Sequence, residues 1–126
     1  MHELSIALSL VEIACEEVAR LGDPPVAALH LRVGPLSGVV TDALQFSFAL
    51  ATENTAIHGA SLVVEEAPLI AHCDACNVDR EIASVQRLRC PVCDTPTPTI
   101  VQGRELELIG LELAESREDA HEAANR

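Results

Sequence analysis

Apolar residues recur at helical spacing over Glu3–Leu21, where Leu4, Leu8, Val11, Cys15 and Val18 share a face and Glu12, Glu16, Glu17 and Arg20 fall largely on others. The pattern predicts an amphipathic helix, closed by Gly22 and prevented from continuing by Asp23-Pro24-Pro25. Val26 to Gly34 alternates instead, with Ala27, Leu29, Leu31 and Val33 on one face and His30 and Arg32 on the other. That is the period of a half-buried strand. After the turn-rich Gly34-Pro35-Leu36-Ser37-Gly38, Thr41 is placed to cap a second helix from Asp42 to about Thr52, with Leu44, Phe48 and Ala51 on one face. Phe46 and Phe48 are the only aromatic residues and are expected to anchor the core.

A second strand begins at Ser61–Val64 and leads through Pro68 toward a cysteine-rich segment. Between its cysteine pairs, Ile82, Val85 and Leu88 suffice to pack a small hairpin or ribbon but not an independent core. The run Thr95-Pro96-Thr97-Pro98-Thr99 reads as a stiff exit linker, and Ile100 to Leu113 returns to strand patterning with Gly103 at a turn. The expected fold is α+β, with two helices packed on a three-stranded sheet and an inserted zinc-ribbon-like module. Residues 1–68 and 100–113 would form the main domain, 69–99 the insertion, and 114–126 a polar tail that frays.

Composition narrows the function. With 8 Arg and Lys against 20 Asp and Glu, the formal charge is −12, which argues against a nucleic-acid groove and permits a cation-handling role or a basic protein partner. No apolar run is long enough to cross a bilayer, so no membrane association is expected. The amino terminus lacks the basic start of a signal peptide, and a cytoplasmic protein is expected. Of the five cysteines, four stand in metal spacing, and Cys15 sits on the apolar helix face as a small buried thiol.

Those four are Cys73-Asp-Ala-Cys76 and Cys90-Pro-Val-Cys93, separated by thirteen residues. Each pair can bring two thiolates to one ion, and two pairs close a tetrahedral S4 site. Structural zinc is the leading reading. Redox-active dithiols and a rubredoxin-like iron compete with it, but no thioredoxin-like strand and helix precedes either pair. A closed S4 site leaves no position for water or substrate. The chain also lacks Gly-x-Ser-x-Gly, a phosphate-binding loop and Gly-x-Gly-x-x-Gly, and no nucleophile with its base can be assembled. No enzyme is expected.

The amino terminus offers a second metal site. With His2 as second residue, the terminal amine, the His2 amide nitrogen and the imidazole can form fused chelate rings, with a further amide or the Glu3 carboxylate completing a plane. Tetragonal nitrogen and oxygen ligation suits Ni(II) or Cu(II). Taken alone, a histidine near a terminus is ordinarily just solvated.

Met1-His2-Glu3-Leu4-Ser5-Ile6, Val33-Gly34-Pro35-Leu36-Ser37-Gly38-Val39, Gly59-Ala60 with Leu62, both cysteine pairs and Gly103-Arg104-Glu105-Leu106 occur in that order. Their ordered combination, across residues 1 to 113, resembles the HypA/HybF family of nickel-delivery proteins for nickel–iron hydrogenase maturation. The resemblance implies a nickel-binding α+β domain with an inserted zinc domain, and His2 as the essential nickel ligand. Met1 would contribute its amine, and Glu3 would serve site support or partner function. Structural Zn2+ would be held by Cys73, Cys76, Cys90 and Cys93, with Ni2+ as transferred cargo. The implied partners are a HypB-type GTPase and the hydrogenase large-subunit precursor, with urease maturation proteins in some members. Some relatives carry histidines just after the cysteine pairs, where this chain has Asn77 and Asp94, and the only flanking histidine is His72. His72 is expected to be an exposed neighbour of the knuckle. The competing reading is an acidic zinc-ribbon interaction module without nickel delivery.

Overall fold

The computed structural model describes residues 2–115. Met1 and residues 116–126, most of the expected 114–126 tail, lie outside the described residues, and the Ala114 N–H at its start bonds the Pro25 carbonyl at 2.9 Å. The elements run α1 (Glu3–Arg20), β1 (Val26–Val33), α2 (Thr41–Ala51), β2 (Ser61–Glu66), β3 (Ile70–Cys73), β4 (Val78–Glu81), β5 (Thr99–Gln102) and β6 (Leu106–Leu113). They form two three-stranded sheets, ordered β2-β1-β6 and β4-β3-β5, an α+β architecture. Compactness divides the chain into one unit of Met1–Leu31, Val39–Val64 and the chain from Leu108, and a second of Arg32–Gly38 and Glu65–Glu107.

In the first unit α1 and α2 pack together. The buried stripe of α1 is Ala7, Leu10, Val11, Ala14 and Val18 together with Glu3. It is rotated from the expected face: Leu4 and Leu8 are exposed and Cys15 is only half-buried. The small Ala7 and Ala14 let neighbouring elements approach closely, and a face that wins on packing need not carry the largest residues. The helix ends as expected in a Schellman turn, with Gly22 at φ 88°, its N–H on the Ala19 carbonyl and the Asp23 N–H on the Val18 carbonyl. Strand β1 is more deeply buried than simple alternation predicts, with Val26 to Leu29 all buried. Successive side chains alternate between faces, so both faces of its first half are covered, and as the middle strand of its sheet it is paired along both edges.

Helix α2 begins one residue early. Val40 is the N-cap, without a side-chain cap, and Thr41 is already helical. Only one of the two phenylalanines is a core anchor: Phe48 is 2% exposed and Phe46 69%. Two residues on a helix differ by about 200°, so both cannot face the core. The Gln45 side chain donates to the Leu62 carbonyl at 2.8 Å, tying α2 to β2.

In the second unit the antiparallel β3–β4 hairpin pairs Cys73 with Val78, His72 with Asp79 and Ala71 with Arg80. Its core is small: Leu69, Ala71 and Ile82, with Leu36, Leu88 and Ile100 packed against them. The segment expected to be a free linker is paired. Thr95 accepts from the Cys90 N–H, Thr97 donates its N–H to Leu88, and Arg89 bridges to Pro96. Proline lacks the N–H but keeps its carbonyl, so a Thr-Pro alternation still offers the threonine amides to a neighbour. Strand β5 then pairs with β3 rather than continuing into the first sheet, and residues 103–105 separate it from β6.

Candidate metal centre

Each cysteine pair sits on a tight turn. Cys73 ends β3, the Cys76 N–H donates to Cys73 Sγ at 3.3 Å, and Asn77 adopts φ 56° before β4 begins. The second pair follows the same plan, with the Asp94 N–H on the Cys90 carbonyl at 2.9 Å and Asp94 at φ 61°. Left-handed backbone is costly for most residues but mild for Asn and Asp, which explains the residue types after each pair.

The turns bring all four sulfurs within 4.8 Å of one another. Cys73 Sγ lies 3.5 Å from Cys93 Sγ, and Cys76 Sγ 4.0 Å from Cys90 Sγ. A tetrahedron with Zn–S bonds of about 2.3 Å has edges of about 3.8 Å, so these spacings suit one tetrahedral ion. A disulfide would need about 2.05 Å. Cys73 and Cys90 are buried, Cys76 is half-buried and Cys93 exposed. The cluster fits structural zinc.

The thiols are electrostatically unequal before metal binds. The Cys76 N–H draws Cys73 downward, but burial and hydrogen bonding to Cys93, Cys90 and Cys76 outweigh it and push Cys73 up to about 11. Burial pushes Cys90 up, but the N–H groups of Cys93 and Val92 and the neighbouring sulfurs bring it down to about 6. Cys93 is held below its ordinary value chiefly by the Thr95 hydroxyl, 3.2 Å away, and by the Thr95 backbone. Thiols crowded this closely share protons unevenly, and a metal ion displaces those that remain.

His72 takes no part in the cluster. Its Nδ1 lies 2.9 Å from Asp79 Oδ1 and its Nε2 3.6 Å from Asp74 Oδ1. Being next to Cys73 in a strand, it faces the opposite side of the hairpin.

At the other end of the chain, His2 is the N-cap of α1, and its carbonyl accepts from the Ile6 N–H at 3.0 Å. The imidazole is 53% exposed, with Nε2 3.9 Å from Glu3 Oε2. Glu3 itself is buried, and its Oε2 accepts from the Val40 N–H at 3.3 Å. The amino-terminal charge first, and the Val40 N–H second, hold the Glu3 carboxyl far below its ordinary range, at about 2. The link to Val40 spans 37 residues and has no signature in the sequence. Met1, the third residue expected at this site, lies outside the described residues.

Among the described residues the four cysteines are the only group of three or more His, Cys, Asp and Glu side chains converging within metal-binding distance. An open concavity beside α1 and β6 is lined by Ile13, Leu21, Leu108 and Leu111, with Glu17 and Arg20 paired to each other. It gathers no nucleophile with an activating base. No helix of the described residues is long and apolar enough to cross a membrane.

An α+β fold carrying four cysteines at tetrahedral spacing is the architecture of a metal-binding protein, and the cluster suits a structural ion. The family model described as hydrogenase/urease nickel incorporation, metallochaperone, hypA matches residues 1–113. The chain belongs to the HypA family of nickel metallochaperones, which serve nickel incorporation in hydrogenase and urease. It is 50% identical over 112 residues to the hydrogenase maturation factor HypA of Chloroflexus aurantiacus, covering 89% of this chain and 98% of that one. It is 47% identical over 120 residues to the same factor of a Roseiflexus species, covering 95% and 98%. In fold it is similar to the solution structure of the nickel metallochaperone HypA from Helicobacter pylori, with a TM-score of 0.61, 23% identity, and coverage of 90% and 97%. A second solution structure of a HypA protein gives a TM-score of 0.67 at 21% identity with the same coverage. The family carries nickel as cargo, and its members work among other maturation proteins.

Proposed function

We propose that this protein is a cytoplasmic carrier, not an enzyme, that holds Ni(II) at its amino terminus and delivers it during nickel–iron hydrogenase maturation. Cys73, Cys76, Cys90 and Cys93 hold the structural zinc. His2 is the principal nickel ligand, with the Met1 amine and backbone amide nitrogen completing the chelate, and Glu3 anchors the site through Val40. The observation that carries this reading is the exposed His2 imidazole at the very start of a helix. Helix geometry gives the opening N–H groups no intrahelical carbonyl, so chelation there breaks no ladder bond. The same helix end is electropositive, which limits the hold on a cation and suits an ion that must be passed on. A HypB-type GTPase and the hydrogenase large-subunit precursor are the proposed partners, with urease maturation proteins as a further class.

Calorimetric nickel titration of untagged wild type, His2→Ala and an amino-terminally tagged form tests the proposal. The altered forms should keep zinc and fold but lose specific nickel binding. Wild-type affinity should fall as pH drops through the histidine range near about 6.5, because imidazole and amide must shed protons. Equal affinity in all three forms would refute the terminal site.

A further inference from the structure

Arg80 is a half-buried cation of the second unit whose side chain makes no ion pair with a carboxylate among the described residues. Arg80 stands on β4 opposite Ala71, two residues beyond the Cys73–Val78 pair. Paired residues of an antiparallel ladder share a face, so Ala71, Cys73, Val78 and Arg80 project to the same side. Ala71 and Cys73 are both fully inaccessible, and Arg80 is the only charged residue of that ladder face. Its Nε is buried without a hydrogen-bond partner. A half-buried cation in that position needs a compensating negative charge. Its guanidinium lies within hydrogen-bonding reach of the sulfurs of Cys76 and Cys90.

Four thiolates around one divalent ion carry a net charge of −2, in a chain whose formal charge is already −12. We propose that Arg80 is the outer charge partner of the four-cysteine centre, offsetting the negative charge on the Cys76 and Cys90 sulfurs and so setting how firmly the centre holds its ion. This rests on the four cysteines binding zinc. Arg80 is not a ligand; it acts through the ligands, as outer hydrogen-bond donors do at metal sites generally. It also gives the centre an asymmetry. Cys76 and Cys90 come from different knuckles, so one guanidinium spans both halves of the site, whereas Cys93 is steadied by Thr95.

The test compares wild type with Arg80→Met, Arg80→Gln and Arg80→Lys, using zinc competition against a chromophoric chelator and the absorption spectrum of the cobalt-substituted protein. Arg80→Met and Arg80→Gln should weaken zinc retention about tenfold, and Arg80→Lys should recover most of the loss. In the first two, the thiolate-to-cobalt charge-transfer bands should move to lower energy, because sulfur electrons no longer feel the positive charge. A role in packing alone would leave those bands in place. Wild-type zinc retention and unchanged cobalt bands in Arg80→Met and Arg80→Gln would overturn the inference, as would Arg80→Lys behaving no better than Arg80→Met. If wild type itself took up neither zinc nor cobalt, the zinc reading would fall first and the inference with it.

Discussion

Gly34 and Gly103 meet so closely that a methyl group built on Gly34 would lie 2.2 Å from the Gly103 carbonyl oxygen. The Gly34 N–H bonds the Glu105 carbonyl, the Leu36 N–H bonds the Gly103 carbonyl, and the Glu105 side chain accepts from the Gly103 N–H. Two glycine-containing stretches nearly seventy residues apart in sequence thus form one joint. Gly34→Ala should cost about 3 kcal/mol, because the obstacle is backbone that cannot swing aside. Gly38→Ala is the control for open space, with nothing within 4 Å of its added carbon but a φ of 80°. It should cost only about 1 kcal/mol in urea unfolding.

The two left-handed residues behind the cysteine pairs should tolerate glycine. Asn77→Gly and Asp94→Gly are expected to leave zinc retention close to wild type. Asn77→Val forces a β-branched residue to φ 56° and should destabilise the second unit by about 1–3 kcal/mol. Thermal unfolding of the zinc-loaded proteins reads both effects, and an Asn77→Val protein as stable as wild type would contradict the account of the turn.

The Glu3 carboxyl titrates near 2 in the folded chain, against an ordinary value of 4.5. Its folded value is depressed, so the native state binds fewer protons than the unfolded one as pH falls. Its contribution is therefore present above about 4.5 and is lost on acidification toward 2. Glu3→Gln should be less stable than wild type at neutral pH, and the gap should close below pH 4.5. Urea midpoints for the two proteins between those limits measure it directly; a gap independent of pH would assign the loss to packing instead.

Phe46 and Phe48 should respond oppositely to truncation. Phe48→Ala opens a core cavity and should cost about 3–5 kcal/mol, whereas Phe46→Ala should fall within about 0.5 kcal/mol. Equal losses would mean that Phe46 is covered in solution.

The phenylalanine pair also marks how far pattern reading reached. Periodicity located both helices, the first two strands and the cysteine module, because burial of one face imposes a period that a sequence must obey. It did not choose the buried face of α1, where Ala7 and Ala14 win over Leu4 and Leu8 by allowing close approach. It also took Thr95–Thr99 as unpaired, since proline content hides the amides that threonines still offer. At the centre, the spacing of four cysteines was legible because a tetrahedral ion demands it. Arg80 was not: its place on the Cys73 face follows only once the first cysteine pair is known to be the turn of a hairpin. The Glu3–Val40 bond depends on the tertiary meeting of two segments, and no local pattern encodes that.

The position of β6 in the chain sets an order of completion. All four cysteines of the cluster lie within residues 73–93, and β5 ends at Gln102, but β6, the edge strand beside β1, spans Leu106–Leu113. A chain emerging from the ribosome therefore presents every sulfur before the first sheet has its last strand. The knuckles can close on zinc while β1 still lacks one neighbour. Metal uptake by the cysteines can then precede completion of the first sheet.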